Sequence, residues 1–198
     1  VVKHLDNAKE GFDDALRALL RLPQDDLDAV EASVRAIIRA VQDKGDQAVL
    51  EYTAQFDRLS AGSIAELEVS RERQLAALAS IDPLVREALE TSVRRVTDYH
   101  VRQRAAFGDG EDWEFTDDLG NRLGQVVRAM QRVGLYAPGG KAAYPSTVMM
   151  TAIPAKVAGV AEVILVVPTP DGEINDTVLA AAALCEVDRV LTIGGAQA

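Results

Sequence analysis

One cysteine, Cys185, is too few for any disulfide framework within the chain, and it suits a reducing compartment. Histidine is almost as scarce: His4 and His100 stand far apart, and neither an H-E-x-x-H nor a C-x-x-C spacing occurs. A zinc site gathers three or four such ligands, so no metal ligand is assigned within these 198 residues, and no catalytic acid or base either. Long apolar runs are missing; nothing approaches the ~18 residues of a membrane span, and no signal-peptide pattern is read at the start. Positive charge is in deficit, with 21 Lys and Arg against 31 Asp and Glu and a net charge of −10. That balance argues against a nucleic-acid partner or an anionic membrane surface. A cytoplasmic protein is expected. Internal repeats and the G-x-G-x-x-G dinucleotide fingerprint are also absent.

What is present is core material, at 48% hydrophobic residues. The chain is organised around Val133-Gly134-Leu135-Tyr136-Ala137-Pro138-Gly139-Gly140, continuing to Tyr144-Pro145-Ser146-Thr147. It reads as an apolar strand, a glycine-rich turn and the start of a helix. Such a turn aims backbone N–H groups and the positive end of a helix dipole at one point, where α/β sheets bind nucleotides or other anions. The bland alternative is a tight connection between strand and helix.

The N-terminal part reads as helical. A helix over about 7–22 carries Phe12, Leu16, Leu19 and Leu20 on one face. A break at Leu22-Pro23 comes next. Val30, Val34, Ile37, Ile38 and Val41 then form an amphipathic stripe. Gly45 ends that helix and Asp46 caps the next, which runs through Phe56. Leu67-Glu68-Val69 is a short candidate strand. Ser70 caps a helix to about Ala79, and Asp82-Pro83 opens a long one to about Ala106. His100, in its C-terminal half, reads as a surface or packing residue, and His4 lies in a fraying terminus. Trp113–Thr116 and Leu123–Val127 alternate as two strands, with Trp113 expected in a core.

From Val133 the pattern is strand, helix, strand, helix, strand. Strands are read at Val133–Tyr136, Val163–Val167 and Val190–Ile193, with helices at about Ser146–Ala158 and Asp176–Cys185. Fully apolar strands alternating with helices predict a parallel sheet covered on both faces. Pro154 predicts a kink or restart in the first of these helices. Cys185 reads as an inert core thiol. Right-handed crossovers bring Gly139-Gly140 and Gly194-Gly195 to one sheet edge. Tyr136 there offers a ring and a hydroxyl, or simply a core side chain; Gln197 offers a donor and an acceptor, or an exposed helix position. Lys141 and Ser146 are weaker ligand candidates, as a solvated charge and a helix cap respectively.

Residues 132–146, the segment Ala152-Ile153-Pro154-Ala155-Lys156-Val157-Ala158-Gly159-Val160, and Gly194-Gly195-Ala196-Gln197-Ala198 closely resemble histidinol dehydrogenase. Lys44–Thr53 followed by Phe56-Asp57 also resembles that family. One departure is Ala129-Met130-Gln131, where the family usually carries a proline. The resemblance covers most of this chain, whereas the family chain is roughly twice as long. It implies NAD- and zinc-dependent oxidation of L-histidinol to L-histidine, the last step of histidine biosynthesis. It implies that Tyr136 and Gln197 contact NAD, with Gly139 and Gly140 as the cofactor-side turn. It places the zinc ligands and a Glu-His acid/base pair beyond Ala198, and it implies a homodimer at full length, built in part through the N-terminal helices.

The expected architecture is α/β. Residues 1–24 form a helical appendage, 25–132 an incomplete α+β domain, and 133–198 a truncated Rossmann-like parallel three-layer domain on the NAD side. By itself the chain is expected to be an inactive fragment. Two other readings stand beside this one. The first is a related zinc- and NAD-dependent dehydrogenase of another small polar alcohol, such as a sulfonated diol. The second is a non-catalytic binding or dimerisation module.

Overall fold

The computed structural model describes residues 4–20, 24–139 and 143–198, with the side chains of 24–27 excepted. Three helices open the chain: α1 (Phe12–Leu20), α2 (Gln24–Lys44) and α3 (Asp46–Asp57). The first is shorter than its apolar spacing predicts, because turns occupy residues 7–11. Gly45, not Asp46, sits at the cap of α3; its φ of 57° is a left-handed value that glycine adopts without strain. After these come β1 (Glu68–Val69), α4 (Arg71–Ser80) and α5 (Pro83–Ala106). The caps form as read. Ser70 Oγ accepts from Arg73 N–H at 3.1 Å, and an Asp82 carboxylate oxygen accepts from Leu84 N–H at 2.8 Å.

A hairpin of β2 (Trp113–Thr116) and β3 (Arg122–Gln125) stands apart from the main sheet. Trp113 is not core. It is 54% exposed and stacks on Phe115, with ring centroids 6.3 Å apart. Every residue of both strands is exposed, because neither face of the ribbon is covered.

The main sheet takes β4 (Arg132–Tyr136), β5 (Glu162–Val166) and β6 (Arg189–Leu191) in parallel, with β1 antiparallel at one edge, in the order β1-β6-β5-β4. Helices α6 (Pro145–Val157) and α7 (Asp176–Leu184) make the crossovers. Helix α6 runs through Pro154 without restarting, and it begins at Pro145, so Ser146 lies inside the first turn and is not the cap. The sheet's period of two divides β5 between two cores. Val163, Leu165 and Val167 join the cluster formed with α6 and α7, which α4 and α5 enclose from outside. Ile164 and Val166 turn the other way, to Leu67, Leu191 and Ile193 and to Val49 and Leu50 of α3. Full burial of Val163 and Leu165 stabilises by about 1.5–3 kcal/mol per side chain. The molecule is thus a three-layer α/β structure, with the carboxyl ends of β4, β5 and β6 aligned along one edge.

Candidate functional site

The site is built from the turns at the carboxyl ends of the parallel strands. After β4 comes Ala137-Pro138-Gly139; after β5, Val167-Pro168-Thr169; after β6, Thr192-Ile193-Gly194-Gly195. Strand pairing carries past the strand ends. Ala137 N–H donates to the Val166 carbonyl at 3.1 Å, and Val167 N–H to the Leu191 carbonyl at 3.0 Å. The three turns therefore leave the sheet side by side.

Pro168, on the central strand's turn, lies between the glycines of its neighbours. A Cβ on Gly139 would collide with the Pro168 carbonyl oxygen and lie 2.9 Å from its carbonyl carbon. A Cβ on Gly194 would collide with the Pro168 side chain and lie 2.9 Å from its Cα. Neither glycine has a positive φ. What both positions require is close backbone approach. Gly195 differs, with φ at 65° and the Gln197 amide oxygen 2.5 Å from where a Cβ would sit.

Tyr136 closes the arrangement across the strand ends. Its hydroxyl oxygen accepts from Gly195 N–H at 3.1 Å, which links the turn after β4 to the turn after β6. The ring is 45% exposed, so Tyr136 is not a core residue; its hydroxyl proton remains available to an acceptor. Gln197 is the reverse case. It lies in a short 3₁₀ turn, Gly195–Gln197, which α2 and α3 both contact, and it is only 4% exposed. Its amide nitrogen and oxygen are both buried without a hydrogen-bond partner. Burial of that kind costs free energy unless a partner satisfies the group. Gly140 and Lys141 fall outside the described residues.

A cleft of about 450 Å³ opens on the Gly139 side of Pro168. Arg73, Pro138, Gly139, Ala143, Asn175 and Asp176 contribute to its lining, whereas Tyr136 and Gln197 do not. The two helix N-termini near the edge differ electrostatically. Helix α7 carries its own cap and acid: Asn175 Oδ1 accepts from Thr177 N–H at 2.8 Å, and Asp176 pairs with Arg73. Helix α6 has no side-chain cap and no acidic residue in its first turn. Among the described residues, nothing acidic in its first turn offsets its positive end.

On the far side, α3 grips the Pro168 turn. Asp57, buried at the end of α3, accepts from Thr169 N–H at 3.3 Å. The next residue, Arg58, donates through Nε and an Nη nitrogen to the two Asp171 oxygens, at 2.5 Å each. That pairing holds the guanidinium above its usual range and the carboxyl below its own. Pro168, Thr169 and this latch did not emerge from the sequence as site residues. The only sequence signal was two prolines, 168 and 170, directly after an apolar strand.

Other candidates lie elsewhere. His100 Nδ1 is 2.9 Å from the Gln103 amide oxygen on α5, and no cluster of three or more His, Cys, Asp or Glu suited to a metal exists among the described residues. Cys185 is buried, and desolvation pushes its thiol up to about 12. It is no nucleophile.

Residues 20–198 match the family model described as histidinol dehydrogenase. A histidinol dehydrogenase of Burkholderia lata is 54% identical over 197 residues, covering all of this chain and 45% of its own length. That of Hydrogenovibrio crunogenus is 51% identical, with 44% of its length covered. Among solved structures, histidinol dehydrogenase from Elizabethkingia anophelis superposes with a TM-score of 0.72 at 26% identity, over 85% of this chain and 37% of that one. The chain spans a little under half the length of the curated relatives it matches.

Proposed function

The chain belongs to the histidinol dehydrogenase family, and from that premise we propose that the β4–β6 edge is the cofactor side of an NAD-dependent oxidation of L-histidinol to L-histidine. The observation that carries the proposal is the buried Gln197 amide, unpartnered at both ends and next to the turn that Tyr136 bonds. A buried carboxamide with a free donor and a free acceptor suits a ligand presenting both, as a dinucleotide does. The residues present fit that group. Tyr136 would donate its hydroxyl proton while the hydroxyl oxygen keeps the Gly195 N–H. Gly139, with Gly140 after it, would let the backbone approach the ligand, and the start of α6, which has no acidic residue in its first turn, would face its phosphates. When bound, NAD would supply the hydride acceptor, one NAD for the alcohol carbon and a second for the hydrated aldehyde carbon, with one water taken up by the aldehyde and one proton released at each oxidation.

The zinc that the resemblance implies has no fitting ligand set among the described residues. On this reading its ligands and the acid/base pair come after Ala198, residues 133–198 form the cofactor-side domain, and the full-length enzyme is a cytoplasmic homodimer. This chain by itself turns nothing over.

The test is histidinol-dependent NADH formation by the purified chain with zinc supplied, beside an NAD titration of wild type and Tyr136→Ala. We expect no turnover, saturable NAD binding by wild type, and binding weakened at least about tenfold in the variant. Turnover by the chain alone would refute the division of labour. Absence of saturable binding would favour a non-catalytic dimerisation module instead. A dehydrogenase of another polar alcohol would be revealed by substrate profiling of the full-length enzyme.

A further inference from the structure

Helices seldom end on a buried carboxylate. The carbonyl end of the dipole opposes negative charge, and burial opposes it again. Helix α3 nevertheless ends on Asp57, which is 6% exposed. Its hydrogen-bond donor is distant in sequence: the N–H of Thr169, on the turn that leaves β5. The following residue breaks a second local preference. Arg58 adopts a left-handed conformation, φ 55°, and so does the Asp171 it clasps, φ 61°. Non-glycine residues in that region carry local strain, and surrounding contacts must hold them there. Here two such residues face each other and are joined by a two-pronged ion pair. Thr169 and Asp171 bracket Pro170 and come directly after Pro168, so α3 holds the Pro168 turn at two adjacent points.

That turn is the spacer between the glycines on which the proposed cofactor edge depends, since Gly139 packs on the Pro168 carbonyl and Gly194 on its ring. A shift of Pro168 would move both contacts together. We propose that Asp57 is a positioning residue: through Thr169 N–H, and with the Arg58–Asp171 latch beside it, it fixes Pro168 and thereby the separation of the two glycine turns that receive the dinucleotide. Asp57 itself touches no ligand. The inference rests on the cofactor reading above for its functional consequence, though not for the mechanical one.

The experiment compares wild type, Asp57→Ala, Asp57→Asn and Arg58→Gln in the full-length enzyme. Asn keeps an acceptor oxygen for Thr169 N–H, while Ala removes it. Asp57→Ala is expected to raise the KM for NAD about tenfold with kcat within twofold, and Asp57→Asn to recover most of that loss. Amide exchange is expected to quicken in 137–139 and in 192–197 together, with the β2–β3 hairpin unchanged. An unchanged KM for NAD in folded Asp57→Ala, or exchange that quickens at one glycine turn only, would overturn the proposal. Should Asp57→Ala not fold, Arg58→Gln carries the test: a KM about threefold higher supports the latch, and no change refutes it. Should wild type show no saturation with NAD, the cofactor reading fails by itself, and the paired exchange response still decides whether Asp57 positions the turns.

Discussion

Tyr136 shows how much one hydroxyl does here. It is the last residue of β4, and its side chain reaches past the end of β5 to a backbone N–H beyond β6. Replacing it with phenylalanine keeps the ring and deletes that bond. The bond is partly exposed, so Tyr136→Phe is expected to lower unfolding stability by only about 0.5–1.5 kcal/mol, read as a lower urea midpoint with an unchanged slope. On the proposed cofactor reading, NAD affinity should fall more than stability does, because the proton of the same hydroxyl is the one assigned to the ligand. Stability reduced with affinity intact would mean that the hydroxyl is structural alone. The crossover rule brings Tyr136 and Gln197 to the sheet edge, but only the resemblance gives them a role toward a cofactor. From the residues themselves, Tyr136 reads more readily as core, yet it is 45% exposed; Gln197 reads as an exposed helix position, yet it is buried. Neither fact is local. The turn that holds Gln197 is contacted by α2 and α3, which come from near the start of the chain.

Among the elements, the glycine turns are the most constrained. Gly139→Ala places a methyl group against backbone atoms of Pro168, which have no rotamer to yield. We expect a loss of about 1–3 kcal/mol from overpacking, set against a gain of at most about 1 kcal/mol from the stiffer unfolded chain. A thermal melt checks the sign. A melting temperature equal to or above wild type would show that the Pro168 turn gives way, and that the spacing of the turns is soft. The parallel strands were legible because each is an apolar run bounded by turn residues, and a two-faced sheet needs such runs. The helix caps at Ser70 and Asp82 were legible as well, being local chemistry. Elements whose partners are remote or absent read less well. The stripe on α2 predicts a buried face, but only Ile37 is buried, while Val30, Val34 and Ile38 are exposed. Alternation in β2 and β3 finds the strands correctly and places Trp113 wrongly, since alternation marks a face and says nothing of whether anything covers it.

Taken whole, the molecule is fastened by carboxylates. Glu68 on β1 binds Arg189 on β6 through both oxygens, at 3.0 and 2.7 Å, and that pairing holds Glu68 below its ordinary 4.5. Asp188 accepts from Val163 N–H at the start of β5 and from Lys156 on α6, both at 2.7 Å. Burial alone would raise Asp188 above its ordinary 3.8; the Lys156 and Val163 hydrogen bonds outweigh it and hold the group lower. Asp171 is lowered by Arg58 in the same sense. A carboxyl whose folded-state pKa is depressed contributes stability that is fully present above its unfolded-state value and is lost as pH falls through the folded-state value. The fastening should therefore be intact at pH 7 and at pH 5.5, and should weaken progressively from about pH 4.5 downward. The urea midpoint is expected to be nearly equal at the two higher values and clearly lower at pH 3.5. Solubility takes a different course, because net charge vanishes near the sequence pI of about 4.7 and exposed apolar groups on α2 and the hairpin are then least screened by repulsion. Dilute protein and light scattering recorded alongside the melts separate the two effects. A midpoint already depressed at pH 5.5 without scattering would mean that a group titrating higher, and not these carboxylates, governs the acid limit.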